Sequence, residues 1–250
     1  MAEAPALHLL AIGAHPDDVE ISCGGILALA SAQGLRTGIV DLTRGELATN
    51  GDPKTRAREA EEAARLLGVS VRRNAGLPDG GIRGTDPSQE GRVVALLREL
   101  RPALVLSHYP RDRHPDHVEA SRIVERAAYH AGLRRYAAPG EPFRPEARWH
   151  FASRVGFQPS VVVDITPVWP RKLEAILAHA SQVSRGASGA RATPLNDPDF
   201  TARIEARARH YGSMIGAPYG EPLHSPEPLG LRDLATLLGA ARPAPGSFTG

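Results

Sequence analysis

Two short clusters of imidazole and carboxylate carry the chemistry that this chain displays most openly. The first is Ala14-His15-Pro16-Asp17-Asp18, and its echo far along the chain is His114-Pro115-Asp116-His117. Each comes just after an apolar, strand-like run, Leu7–Gly13 before the first and Leu104–Ser107 shortly before the second. Two such clusters at two strand ends can converge on one metal ion and leave acidic and basic groups over, which points to metal-assisted hydrolysis. His15, Asp18 and His117 would supply nitrogen, oxygen and nitrogen ligands and leave one position open for water. That set suits Zn2+, and Fe2+ equally. Such an ion brings the pKa of its bound water to near ~7. Asp17, beside a ligand, is the candidate to take the water's proton. His114 is the candidate to stabilise the developing oxyanion or to protonate the leaving amine, with Asp116 holding its ring in one tautomer.

Taken singly, either cluster could be ordinary loop chemistry, and an aspartate ahead of a helix is commonly only an N-cap. Together, at equivalent strand ends, they favour a metal. His108 follows a strand and is a candidate for the layer behind the metal ligands. His130, His150, His179, His210 and His224 lack partners in sequence and read as structural or solvent-facing. Cys23 reads as a small buried thiol.

The elements that must position these groups alternate between strand and helix patterns. Strands are predicted over Leu7–Gly13, Thr37–Thr43, Val69–Asn74, Ala103–Ser107 and Val161–Ile165. Helices are predicted over Glu20–Gln33, Pro53–Leu67, Ser88–Leu100, His117–Ala131, Val168–Val183 and Phe200–Met214. This alternation implies an α/β fold of Rossmann-like, three-layer type, with a mostly parallel sheet and the metal site at the C-terminal ends of the strands. Thr43-Arg44-Gly45-Glu46 and Gly76-Leu77-Pro78-Asp79 fall at the same edge. The first loop lacks the second and third glycines of a dinucleotide fingerprint, and Pro16 removes an amide, so a nucleotide-binding regulator is disfavoured. No repeat or long linker divides the 250 residues, which reads as one domain with a frayed tail over 240–250.

Charge is nearly balanced, with 30 basic and 28 acidic side chains giving +2. Basic residues are interspersed with acidic ones, and aromatics are scarce, so no nucleic-acid footprint is present. One cysteine excludes an internal disulfide. There is no basic N-terminal region ahead of a signal-type apolar run, and no run approaches the ~20 residues of a membrane span. A cytoplasmic protein is expected.

The two histidine motifs resemble the paired signature of the PIG-L (LmbE-like) zinc-dependent N-acetylglucosamine deacetylases, and the likeness runs from Leu7 to about Leu238. Within that family the chain is most similar to the bacillithiol-pathway deacetylases of N-acetylglucosaminyl-malate. Asp41–Glu46, Thr49–Gly51, Gly76–Asp79, Asp112-Arg113, Ala131–Tyr136 and Thr193–Leu195 support this. The resemblance implies His15, Asp18 and His117 as zinc ligands, Asp17 as base, His114 as transition-state electrophile or general acid, and Asp116 as its partner. It further implies substrate contacts from Arg56, Asp79 and Arg144, and a homohexamer. Glu46 is grouped with the substrate-binding candidates. Arg44, Arg56, Arg113 and Arg144 are plausible receivers for the malate carboxylates. Where relatives often carry a tyrosine after the Thr-Pro-Leu stretch, this chain has Phe200, with Tyr211 and Tyr219 further on. The expected substrate is therefore a small sugar conjugate. The competing readings are a sibling deacetylase acting on chitin disaccharide, a glucosaminyl-inositol or an amide conjugate, and a metal- or sugar-binding module without turnover. Asp17 and His114, which a pure binder does not need, disfavour the latter.

Overall fold

A computed structural model describes residues 6–184 and 190–230. The tail expected over 240–250, and part of the loop around residue 187, lie outside the described residues. Seven strands form one sheet: β1 (Leu7–Gly13), β2 (Thr37–Asp41), β3 (Val71–Asn74), β4 (Pro102–His108), β5 (Ala147–Phe151), β6 (Val161–Asp164) and β7 (Gly220–His224). Their spatial order is β3-β2-β1-β4-β5-β7-β6. β1 to β5 pair in parallel, whereas β7 runs antiparallel between β5 and β6. The helices are α1 (Asp18–Ala32), α2 (Pro53–Leu67), α3 (Pro87–Leu100), α4 (Pro115–His130), α5 (Trp169–Leu177), α6 (Ala180–Val183) and α7 (Phe200–Ser213).

Alternation along β1 divides the core. Leu9 and Ala11 pack with α1, α2, α5 and α7 on one face, while Leu10 and Ile12 pack with α3 and α4 on the other. Successive strand side chains point to opposite faces, so a strand covered on both sides is apolar throughout. Helix ends follow local chemistry. The Asp52 carboxylate accepts from the Lys54 and Thr55 amides at the start of α2, and Pro53 occupies the first turn, where no amide partner is needed. Gly68 ends α2 at φ +73°, a conformation in which a side chain is penalised.

The sheet differs from the sequence expectation in its second half. β5 and β7 are additional strands, and the predicted helix over Val168–Val183 is a short 3₁₀ turn (Thr166–Val168) followed by α5 and α6. β7 contains Pro222, which ordinarily argues against an interior strand. The β5–β7 pairing comprises only His150 with His224 and Phe151 with Leu223, and it stops short of Pro222. Pro222 faces Val162 across the β6 pairing. None of the described helices is long and apolar enough to cross a membrane.

Candidate metal centre

The order β2-β1-β4 places a topological switch between β1 and β4, the point in such sheets where a crevice opens at the carboxyl ends of the strands. The first histidine motif leaves β1 there and the second follows β4. Thr43, just past β2, ties the first loop down: its amide and its hydroxyl both donate to the Ala14 carbonyl, at 2.9 Å each. Pro16 and Asp17 then turn into α1. Asp17 adopts φ +123°, a region L-residues rarely occupy, and such strain is held only where surrounding contacts over-determine it. Here the Arg56 guanidinium does so, donating Nη2 to the Pro16 carbonyl at 2.5 Å and to Asp17 Oδ2 at 3.2 Å, and Nη1 to the Gly45 carbonyl at 3.1 Å.

His15, Asp18 and His117 each offer one ligand atom, and these atoms lie within 4.8 Å of one another. Asp18 Oδ1 is 3.2 Å from His117 Nε2, and Asp18 Oδ2 is 3.3 Å from His15 Nδ1. Outer carboxylates back both rings. Asp79 Oδ1 and Asp116 Oδ2 lie 3.2 and 3.3 Å from His15 Nε2, and Asp112 Oδ1 lies 3.2 Å from His117 Nδ1, off the N–H axis of a good hydrogen bond. Burial disfavours a charged His15, yet hydrogen bonds to Asp116, Asp18 and Asp79 push it up to about 12. Burial likewise opposes charge on His117, but Asp18 and Asp112 push it up to about 9. The carboxylates thus demand a positive charge, and protonated imidazole supplies it in the metal-free protein. An N, O, N donor set within this acidic surround fits a divalent ion of the zinc or ferrous kind.

His108, on β4, completes the wall. Its Nε2 accepts from the Ala14 amide at 3.0 Å, and its Nδ1 meets Ser153 Oγ at 3.1 Å. Burial, then repulsion from His117, lowers it to about 4, so it stays neutral. Asp17 is buried; desolvation lifts its carboxyl to about 6 despite the opposing pull of Arg56.

A cavity of about 840 Å³ opens over these groups. His15, Asp17, Asp18, His114, His117, Arg56, Asp79 and Arg113 all line it. The other candidate residues are placed as follows, and the expected pairing of Asp116 with the His114 ring is corrected. Asp116 does not bond the His114 ring with its carboxylate; that carboxylate faces His15 and accepts from the Gly80 amide at 2.7 Å. The Asp116 backbone amide instead donates to His114 Nδ1 at 3.2 Å, because His114 is the N-cap of α4, and this leaves the ring proton at Nε2. Asp79 is committed to His15 and to the Leu47 amide at 2.8 Å, which makes it a partner of a candidate ligand. Arg56 reaches the cavity with both terminal nitrogens engaged by the protein. Arg144 is not brought to the site within the chain: its guanidinium sits over the Tyr129 ring at 4.5 Å and donates to the Tyr129 carbonyl. Glu46 is exposed and accepts from the Arg44 amide, and neither residue lines this cavity.

Phe200 does line the cavity, with Ile21, Leu195 and Ile204. Neither later tyrosine replaces it. The Tyr219 hydroxyl is shared by Arg209 and Glu205, and Tyr211 borders a separate cleft. Asp112, Ser153 and Arg154 also belong to the site, although the sequence assigned none of them a role in it. Asp112 carried a local signal, since its side chain accepts from the His114 amide at 2.9 Å in a short turn ahead of the motif.

The chain is similar to known proteins in both sequence and fold. The family model described as PIG-L, GlcNAc-PI de-N-acetylase, matches residues 10–128. A 1D-myo-inositol 2-acetamido-2-deoxy-alpha-D-glucopyranoside deacetylase of Rhodococcus erythropolis is 30% identical over 75% of this chain and 85% of its own length. A probable N-acetyl-alpha-D-glucosaminyl L-malate deacetylase 2 of Bacillus cereus is 28% identical over 70% and 83%. Among solved structures, the conserved protein TT1542 of Thermus thermophilus superposes with a TM-score of 0.82 at 40% identity, covering 90% of this chain and 97% of that one. GalB, a 4-carboxy-2-hydroxymuconate hydratase of Pseudomonas putida, has a TM-score of 0.73 at 25% identity, over 91% and 100%.

Proposed function

The chain belongs to the PIG-L family, and on that footing we propose that it is a metal-dependent deacetylase hydrolysing the N-acetyl group of an N-acetylglucosamine conjugate. The observation that carries this reading is the convergence of His15, Asp18 and His117 on one wall of the cavity, with Asp17 and His114 beside that trio. An ion held by those three residues would supply Lewis acidity toward the acetamide carbonyl and acidify a water.

The chain's own groups do the rest. Asp17, lifted to about 6 by burial, is tuned near neutrality, where a carboxylate base works best, and takes the proton of the attacking water. Arg56 keeps its Oδ2 directed and its strained backbone in place. His114 is neutral, since burial and then the neighbouring His15 and His117 lower it, and it holds its proton at Nε2. That N–H stabilises the developing oxyanion, and the departing amine takes back from Asp17 the proton that Asp17 removed from the water. Asp79, Asp116 and Asp112 hold the two ligand imidazoles in orientation. Ile21, Leu195, Phe200 and Ile204 exclude water from one side.

For the aglycone, Arg113 and Arg154 line the cavity, and among the described residues neither has a carboxylate partner. Two unpaired guanidinium groups favour an anionic aglycone such as malate. The second reading is an inositol conjugate, which the name of the Rhodococcus relative favours. The test offers purified, metal-quantified protein three compounds side by side: N-acetylglucosaminyl-malate, the inositol conjugate and N-acetylglucosamine. Acetate release that prefers the malate conjugate and stops on chelation supports the first reading. A preference for the inositol conjugate moves the substrate, and metal uptake without acetate release from any of the three defeats the deacetylase assignment.

A further inference from the structure

Helix α1, which carries Asp18 in its first turn, is not continuous. Cys23 has φ −140° and ψ 20°, outside the helical region, so the helix breaks one turn after it begins. In an unbroken helix the Gly25 amide would donate to the Ile21 carbonyl. Both groups have side-chain partners, and those partners form an ion pair with one another. The Gly25 and Ile26 amides donate to the two oxygens of Glu221, at 3.0 and 2.7 Å. The Ile21 carbonyl accepts from Lys172 Nζ at 3.0 Å and from Arg207 Nη2 at 2.6 Å. Lys172 Nζ also donates to Glu221 Oε1.

An ion pair is thus inserted into the ladder of α1 at the break, a recognised cause of helix kinks. Lys172 comes from α5, Glu221 from β7 and Arg207 from α7, far from α1 in sequence. Both members of the pair are only 2% exposed, so their charges are desolvated and held by geometry. Gly25 makes room for them: a Cβ there would lie 3.0 Å from Glu221 Oε1 and 2.8 Å from Ile165 Cδ1.

We propose that Lys172 and Glu221 are positioning residues for the metal centre, setting the direction of the short helical block Asp18–Ser22. The block is bounded by non-helical residues at both ends, Asp17 and Cys23. Arg56 grips its leading end through the Pro16 carbonyl and Asp17, and Lys172 and Arg207 grip its trailing end through the Ile21 carbonyl. Between these grips lie Asp18, a candidate ligand, and the side chain of Ile21, which lines the cavity. A continuous helix would carry the first turn along the axis of the rest of α1. The inserted pair lets that turn follow the crevice instead.

The inference rests on the proposed metal centre, and its principal readout needs no substrate. Zinc affinity of the metal-free protein is measured by chelator competition for four proteins: parent, E221Q, K172R and K172M/E221L. Melting temperature is followed for each. The double variant removes both charges together, which avoids leaving one buried alone. The expected result is a folded double variant whose zinc affinity is weaker by roughly 10- to 100-fold, the range typical of lost outer-layer support. E221Q, which keeps one acceptor and the shape, is expected to weaken affinity by about tenfold, and K172R to stay within about threefold of the parent. Where deacetylation is measurable, kcat falls with KM held within about twofold, as for lost orientation of the reacting groups. Should the double variant fail to fold, E221Q carries the same expectation. Parent-like zinc affinity in folded K172M/E221L, or in E221Q when that is the protein that folds, overturns the proposal. A weakened affinity alongside no deacetylation by the parent supports this inference while defeating the proposed function.

Discussion

Zinc binding to this protein is expected to expel two protons per ion near neutral pH. Without metal, the His15 imidazole is pushed up to about 12 and His117 up to about 9 by the carboxylates around them, against the effect of burial. Both rings therefore carry a proton at pH 7. Asp18 is already ionised: burial opposes this, but the charged His117 ring holds it well below the usual carboxylate range. A metal takes the lone pair of a neutral imidazole, so both rings must release a proton to bind. Each proton contributes about 1.36 kcal/mol per pH unit, so apparent affinity should rise about hundredfold, or ~2.7 kcal/mol, for each unit between about pH 6 and about pH 8. Above about 9 the slope should fall to one proton. Chelator competition at three pH values gives the slope. Calorimetry in buffers of different ionisation enthalpy counts the protons directly. A flat affinity, or release of less than one proton, would mean that the three carboxylates do not surround His15 as described. The same rings give a signature in the chelated protein. Both have folded values above 6.5, so the stability they contribute is complete below that pH and is lost as pH rises, first through about 9 and then through about 12.

Three further outcomes are expected. Asp17→Asn should retain zinc within a few fold yet lower kcat by roughly 10²–10⁴, the usual worth of a positioned base; unchanged turnover on the preferred substrate would remove Asp17 from that role. Arg56→Met leaves Asp17 buried without its partner and frees the strained Pro16-Asp17 turn, so chemical denaturation should show a loss of about 3–5 kcal/mol; a loss under about 1 kcal/mol would contradict the buried pairing. Gly25→Ala should destabilise by roughly 1–3 kcal/mol through the contacts with Ile165 and Glu221, and a neutral thermal melt would show that the space is larger than described.

The sequence alone determined the site's ingredients and the first half of the scaffold. Strong apolar runs such as Leu9–Ile12 specify strands whatever surrounds them, and a strand apolar at every position must be covered on both faces. His15, Asp18 and His117 stood out because imidazole and carboxylate recur at matching places after two such strands. Only the tertiary structure decided what could not be local. β7 defied its own Pro222 because pairing with β6, not propensity, makes it a strand. The break in α1 is written at Cys23 and Gly25 but stabilised by Lys172, Arg207 and Glu221, more than a hundred residues away. Arg56, Asp79 and Asp116 were recognisable as polar residues near the site. Whether each faces a substrate or another side chain depended on distances of a few ångströms between separate loops. Sequence spacing fixes such distances within one helix or strand, but between elements only packing does.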